Sequence, residues 1–272
     1  MKKSQLALNS VSLNFDDFSA SLRAVRAAGF GKIEFLLPQV KGELKAGRSI
    51  CDVRALLDDH GLACIGGFEA HLECFGENTA ANHQLHVENA ELLAALGGTN
   101  LVVGTDGPKG PASLDSLQII TRTVRSVADR IKPYAVNLLI EFNWSPVVKS
   151  LRTAAEIARL SGAANAGVLF DPAHYHCTPT KFDQLNAANV AAIRHVHVDD
   201  MRDKPGELSH CNDDRVLPGE GILDLRGIFG QLEKLGYAGD FSIEMFDPAL
   251  RKLPPLEAAS RMYRSLVPLC DS

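Results

Sequence analysis

Much of what defines other protein classes is missing from this 272-residue chain. No stretch approaches the ~18 consecutive apolar residues of a membrane span, so no membrane contact is expected. The opening MKKSQLALNSVSLNF is interrupted by Gln5, Asn9 and Ser10 and holds no apolar run of signal-peptide length, which points to a cytoplasmic protein. Basic runs are also lacking. Lys and Arg number 28 against 33 Asp and Glu, for a net charge of −5, so nothing tracks a phosphate backbone and nucleic acid is not an expected partner. The six cysteines form neither CxxC pairs nor a compact framework, which fits reduced thiols. No GxGxxG follows the first apolar run and no Walker sequence occurs, so the usual nucleotide signatures of open α/β sheets are absent.

What the chain does have is alternation. Short β-rich runs at 6–12, 32–36, 63–68, 100–104, 137–142, 167–171, 193–198 and 241–246 each precede a segment of helical periodicity. Those segments lie at 18–28, 53–60, 83–96, 114–131, 154–160, 182–191, 223–235 and 256–266. Gly29, Gly61, Gly97, Gly162 and Gly236 stand near the helix ends, where glycine readily takes the left-handed cap. Eight βα units at this length predict a closed (β/α)8 TIM barrel, with residues 1–272 forming one domain. A homo-oligomer is compatible with this reading and is left open.

In such a barrel the functional groups sit at the C-terminal ends of the strands, which open on one rim. Reading those ends gives Glu34, then Glu141 (NLLIEF), Asp171 (GVLFD), His197 (RHVHVDD) and Glu244 (FSIE). The last four come from consecutive strands 5 to 8. Alternation places Asn137, Leu139 and Glu141 on one face, likewise Gly167, Leu169 and Asp171, and likewise Ser242 and Glu244, with Phe241, Ile243 and Met245 toward the helices. On the seventh strand it groups Ile193, His195, His197 and Asp199 against Val196 and Val198. Three carboxylates converging on an imidazole would repel one another unless a cation lay among them. The oxygen-rich set suits one divalent ion, Mn²⁺, Mg²⁺ or Co²⁺, and tolerates Zn²⁺. His195, roughly 6.5 Å deeper, reads as a hydrogen-bonded supporter and not as a ligand.

At these residues the chain resembles the sugar isomerase/epimerase superfamily of xylose-isomerase-like barrels, and within it most closely the 2-keto-myo-inositol isomerases. The resemblance spans essentially the whole chain. It is strongest in IEF (33–35), LIEF (139–142), VLFDPAHYH (168–176), the segment from HVDD (197–200) to DDRVLPGEGILDL (213–225), and SIEMF (242–246). It implies that Glu141, Asp171, His197 and Glu244 hold the metal, that Glu141 and Glu244 double as acid and base, and that His174 and Arg215 hold substrate oxygens. Glu34 resembles an acidic position of the inositol-ketose isomerases and is on that ground a candidate substrate-binding residue of the pocket, with a salt bridge to a neighbouring loop as its alternative. Trp144 and His176 lie just past strand ends and are candidate pocket residues. The connection 199–221, carrying Pro218, Gly219 and Gly221, reads as a loop over the barrel mouth.

The expected reaction is isomerisation or epimerisation of a small polyol ketone or ketose, a keto-inositol being favoured, by proton transfer through an enediolate that the ion stabilises. Three rivals remain. One is a dehydratase on the same scaffold, of the 3-dehydroshikimate or inosose type. Another is an endonuclease IV-like hydrolase, whose additional His and Glu ligands are not evident and which the net charge disfavours. The third is a non-catalytic sugar-binding barrel.

Overall fold

The first strand forms at Leu6–Asn9 (β1), and parallel strands follow at Lys32–Leu36 (β2), Ala63–Phe68 (β3), Asn100–Val103 (β4), Asn137–Glu141 (β5), Ala166–Phe170 (β6) and Ile193–Val198 (β7). Two short strands, Asp200–Met201 (β8) and Arg215–Val216 (β9), pair antiparallel outside the barrel. Phe241–Ile243 (β10) then closes the ring between β7 and β1. The computed structural model describes residues 1–270. The expected eight-stranded parallel barrel with surrounding helices is therefore the architecture found.

Alternation along each strand builds two apolar layers. Outward residues such as Leu138, Ile140, Val168, Phe170, Val196 and Phe241 pack with the helices in one continuous core. Each such large side chain contributes ~1.5–3 kcal/mol when fully buried. Inward residues Val102, Leu139 and Leu169, with Phe68 against them, form a small separate cluster inside the barrel. The strand parities expected for β5, β6 and β10 hold, since Phe241, Ile243 and Met245 all join the outer core.

On β7 the grouping differs in one residue. Ile193 packs with the outer core, not with His195 and His197. The β6–β7 register shifts between Val168 and Leu169, which pair with Ile193 and His195 and leave Arg194 as an extra residue. A bulge of this kind inverts the side-chain parity beyond it.

The helices start and stop on local chemistry. Helix Phe18–Ala28 begins where the Asp17 side chain accepts from the Ala20 amide at 2.9 Å, and ends at Gly29 with φ +118°. A Cβ at Gly29 would lie 2.7 Å from the Tyr263 ring, so both backbone and packing require glycine there. Three helices were not foreseen: Leu37–Lys45, directly after β2, Pro172–Cys177, directly after β6, and the short Pro248–Arg251 after β10. The helix expected over 182–191 is broken instead. A 3₁₀ turn at Phe182–Gln184 is separated from helix Ala187–Val190 by Asn186, whose extended backbone lets its side chain cap Asn189. Cys51, Cys64, Cys74, Cys177 and Cys211 are free thiols. Among the described residues no helix is long and apolar enough to cross a membrane.

Candidate metal centre

At the C-terminal ends of β5, β6, β7 and β10 the structure brings Glu141, Asp171, His197 and Glu244 together, with one ligand-type atom from each lying within 4.8 Å of the others. Glu141, His197 and Glu244, with His174 and Arg215, help to line a cavity of about 400 Å³; Asp171 is fully buried and does not line it. Asp171 serves two partners at once. It caps helix Pro172–Cys177 by accepting from the His174 amide at 3.0 Å through Oδ1, which leaves Oδ2 facing His197 Nδ1 at 3.4 Å. Glu244 Oε2 lies 3.3 Å and Glu141 Oε1 3.9 Å from that same Nδ1.

None of these approaches is aligned as a hydrogen bond for Nδ1. His197 Nδ1 and Asp171 Oδ2 are both buried polar atoms without such a partner. Buried groups of this kind are normally satisfied. Two buried atoms without an aligned hydrogen bond, Asp171 Oδ2 being met only by the charge of Arg215, fit a divalent cation, with one nitrogen and several oxygens as donors.

The charges answer to the same arrangement. Burial, then Glu244 and Asp171, push the Glu141 carboxyl up to about 8. Burial works against ionisation of Asp171, yet the Arg215 guanidinium above all holds its carboxyl well below the usual range. Glu244 is likewise buried and is held low by His197 and Arg215. Burial brings the His174 imidazole down to about 4, so it faces the cavity neutral, with its Nε2 3.6 Å from Glu141 Oε1.

Among the described residues Arg215 is the only Arg or Lys side chain lining this cavity. The β8–β9 ribbon carries it over the mouth, where Nη1 reaches Asp199 Oδ2 at 2.6 Å and Glu244 Oε2 at 2.9 Å. Its Nη2 lies 3.0 Å from Asp171 Oδ2, and Nε donates to the Cys211 carbonyl at 2.7 Å. One guanidinium thus faces three carboxylates. Burial, together with Asp171 and Glu244, pushes the Asp199 carboxyl well above its ordinary range despite the Arg215 contact.

The segment that follows the ribbon is tied down by Asp200. Its carboxylate accepts from the amides of Gly219 (3.0 Å), Gly221 (3.1 Å) and Leu223 (3.0 Å). Gly221 approaches so closely that a Cβ would meet Asp200 Oδ1 at 2.3 Å.

Two expected pocket residues are placed elsewhere. His176 does not line the cavity: its Nε2 is 2.8 Å from the Lys204 carbonyl and holds the 199–221 loop. Glu34 is neither a substrate contact nor a partner of a neighbouring loop. It is fully buried beneath the site, where its carboxylate meets His195 Nε2 at 3.0 Å and His197 Nε2 at 3.1 Å. The stagger of the closed barrel brings β2 and β7 side chains together across its interior. Trp144 does line the cavity; its indole donates to the Cys177 carbonyl at 3.2 Å and its ring meets His210 edge-on.

The strand-end rule passed over Asn9 and Asp199. Asn9, the last residue of β1, donates to Glu244 Oε1 at 3.0 Å while its own Oδ1 accepts from Val11. Applying the rule to LALN would have found it.

A second trio, Glu34, His195 and His197, also has its ligand-type atoms close together. Its contacts are ordinary hydrogen-bond lengths, and none of its members is more than 2% exposed.

Comparison with known proteins places this geometry in a lineage. Residues 22–266 match the family described as xylose isomerase-like TIM barrel. An inosose isomerase of Bacillus velezensis is 34% identical over 130 residues, which are 47% of this chain and 46% of that protein, so the match spans about half of each. A 3-dehydroshikimate dehydratase of Pseudomonas aeruginosa is 26% identical over 253 residues, 90% of this chain but 39% of that larger protein. Among solved structures, the IolI protein with a bound zinc atom superposes with a TM-score of 0.87 over 97% of both chains at 22% identity, a likeness of fold. The family match covers all the barrel strands but β1, and with it the four convergent strand ends: this chain belongs to the xylose isomerase-like TIM barrel family.

Proposed function

We propose that this protein is a divalent-metal-dependent isomerase or epimerase of a small polyol ketone or ketose, with a keto-inositol as the favoured substrate. The observation that carries the reading is the convergence of Glu141, Asp171, His197 and Glu244 around buried atoms that lack an aligned hydrogen bond, at an open cavity. The inosose isomerase relative supports the substrate class. When bound there, the ion would polarise a carbonyl and the hydroxyl beside it and so acidify the carbon hydrogen between them.

The chain's own residues do the rest. Glu141 and Glu244 flank His197, and their environments push their proton affinities apart: Glu141 is raised to about 8 and Glu244 lowered. These affinities belong to the metal-free site; as ligands of the ion both carboxylates are ionised, and each is placed to exchange a proton with the substrate. Glu244, fixed by Asn9 on one oxygen and Arg215 on the other, is the better placed base. Glu141, on the other side of His197, is the second carboxylate that can exchange a proton with the substrate. Neutral His174 and the Arg215 guanidinium offer hydrogen bonds to substrate oxygens. Phe68, Val102, Trp144 and Phe246 supply an apolar wall that limits water near the reacting carbon.

The dehydratase relative that aligns over 90% of this chain favours one second reading, in which the acid protonates a departing hydroxyl in place of a ring carbon. Turnover of a panel of keto-inositols, ketoses and 3-dehydroshikimate in heavy water, at saturating metal, separates the two. Deuterium on a product carbon at unchanged skeleton supports isomerisation or epimerisation. Loss of water supports the dehydratase. No turnover of any of them sinks both.

A further inference from the structure

We infer that Glu34 is a positioning residue for the candidate metal centre: its carboxylate accepts from the Nε2–H groups of both His195 and His197, and so holds the His197 ring with Nδ1 aimed into the cavity. The inference rests on the metal reading proposed above and extends it to a residue that touches neither the cavity nor its expected ligands' carboxylates.

His197 has two ring nitrogens with distinct surroundings. Nε2 lies 3.1 Å from Glu34 Oε2 and 3.3 Å from Oε1, while Nδ1 faces Asp171, Glu244 and Glu141. An ionised carboxylate can only accept, so the proton between Glu34 and His197 belongs to Nε2. Once the Nδ1 proton has been displaced by an ion, an imidazole protonated only at Nε2 presents the lone pair of Nδ1, the atom left without a hydrogen bond at the cavity. Glu34 therefore selects both the tautomer and the ring orientation that coordination needs.

His195 completes the device. Two residues deeper on the same strand, it donates to the same Oε2 at 3.0 Å, and its ring stands at 84° to that of His197. Two donors from one strand pin a carboxylate that arrives from β2, three strands away around the barrel. The Glu34 oxygens are absent from the buried atoms lacking hydrogen-bond partners, whereas His197 Nδ1 is among them. Within the trio the two Nε2 atoms and the Glu34 oxygens are thus paired with one another, and His195 Nδ1, like His197 Nδ1, is left without a partner; the geometry favours a hydrogen-bonded support behind one ion site over a site for a second ion. A carboxylate behind a ligating histidine typically strengthens metal binding 10- to 100-fold.

Titration with Zn²⁺ of the parent and of Glu34→Gln tests this, with ions per chain counted by metal analysis and the thermal melt recorded alongside. The parent should bind one ion per chain. Glu34→Gln, equal in shape but neutral, should fold and bind ~10- to 100-fold more weakly. In ¹⁵N-histidine-labelled, zinc-loaded protein, the hydrogen-bonded Nε2–H proton of His197 should lie far downfield and move upfield in the variant. A purely structural Glu34 would leave both affinity and resonance unchanged, and that result overturns the inference. So does a second ion per chain in the parent that disappears in Glu34→Gln. A parent that binds no ion defeats the metal reading itself, whatever Glu34 does. If Glu34→Gln fails to fold, Glu34→Asp, which keeps the charge but falls short by one methylene, carries the same comparison.

Discussion

Metal uptake near pH 7 should expel about two protons per ion. Coordination requires an ionised carboxylate and a lone pair on imidazole, and in the metal-free site neither Glu141 nor His197 is in that state. Glu141, pushed up to about 8 by burial and by Glu244 and Asp171, is about nine-tenths protonated at pH 7. His197 is buried, which disfavours its charge, but Glu244 and Glu34 raise its pKa well above the ordinary value, so Nδ1 also carries a proton. Asp171 and Glu244 are held low and contribute none. Two protons released per ion mean that apparent affinity rises ~100-fold per pH unit around neutrality, or about 2.7 kcal/mol. Above pH 8 Glu141 ionises unaided, and the slope should fall toward ~10-fold per unit. Calorimetric titration in two buffers of different protonation heat gives the proton count directly. Competition with a chelator, corrected for its own protonation, gives the slope. Tight binding with no proton release between pH 6 and 8 would refute coordination through Glu141 and His197 Nδ1.

The other expectations concern individual side chains and the fold. Glu141→Gln and Glu244→Gln, assayed at saturating metal because both amides weaken its binding, should each lower kcat by more than ~100-fold if they are the acid and base; a loss below tenfold in either removes it from proton transfer. Arg215→Ala leaves Asp171, Asp199 and Glu244 without their shared guanidinium and should cost ~3–5 kcal/mol in denaturant unfolding, with Arg215→Lys restoring only part because it lacks the two-pronged contact. Parent-like stability in Arg215→Ala would show that the three carboxylates simply protonate. Asp200→Ala strands the amides of Gly219, Gly221 and Leu223, and limited proteolysis should cut the 199–221 loop faster than in the parent. The metal-free protein should lose stability as pH rises from about 5 to 8. Glu141 and His197 both bind protons more tightly folded than unfolded, so their contribution is full below the unfolded pKa and is lost through the folded one. Thermal melts across that range check the sign.

Alternation of side chains along a strand and alternation of strands with helices are local properties, and both were legible in the amino-acid order. They sufficed for the parallel barrel, for most strand limits, and for Glu141, Asp171, His197 and Glu244 sharing one rim. Parity within a strand is set by the backbone's two-residue repeat and needs no tertiary information until a bulge intervenes, as it does at Arg194 beside Ile193. Helix breaks were less readable. Asn186 competes for its own backbone through its side chain, and a propensity pattern spanning 182–191 does not register that competition. Contacts across the barrel lay furthest from the sequence. Glu34 and His197 are 163 residues apart and meet only because closure and stagger bring non-neighbouring strands together. His176 was drawn from the pocket to the Lys204 carbonyl by the course of the loop, and Arg215 was delivered to the site by a two-residue ribbon too short to show a period. Residue type and strand position decided which groups reach the rim; the tertiary fold decided which of them face the cavity and which stand behind it, because that depends on register between distant strands and not on any local repeat.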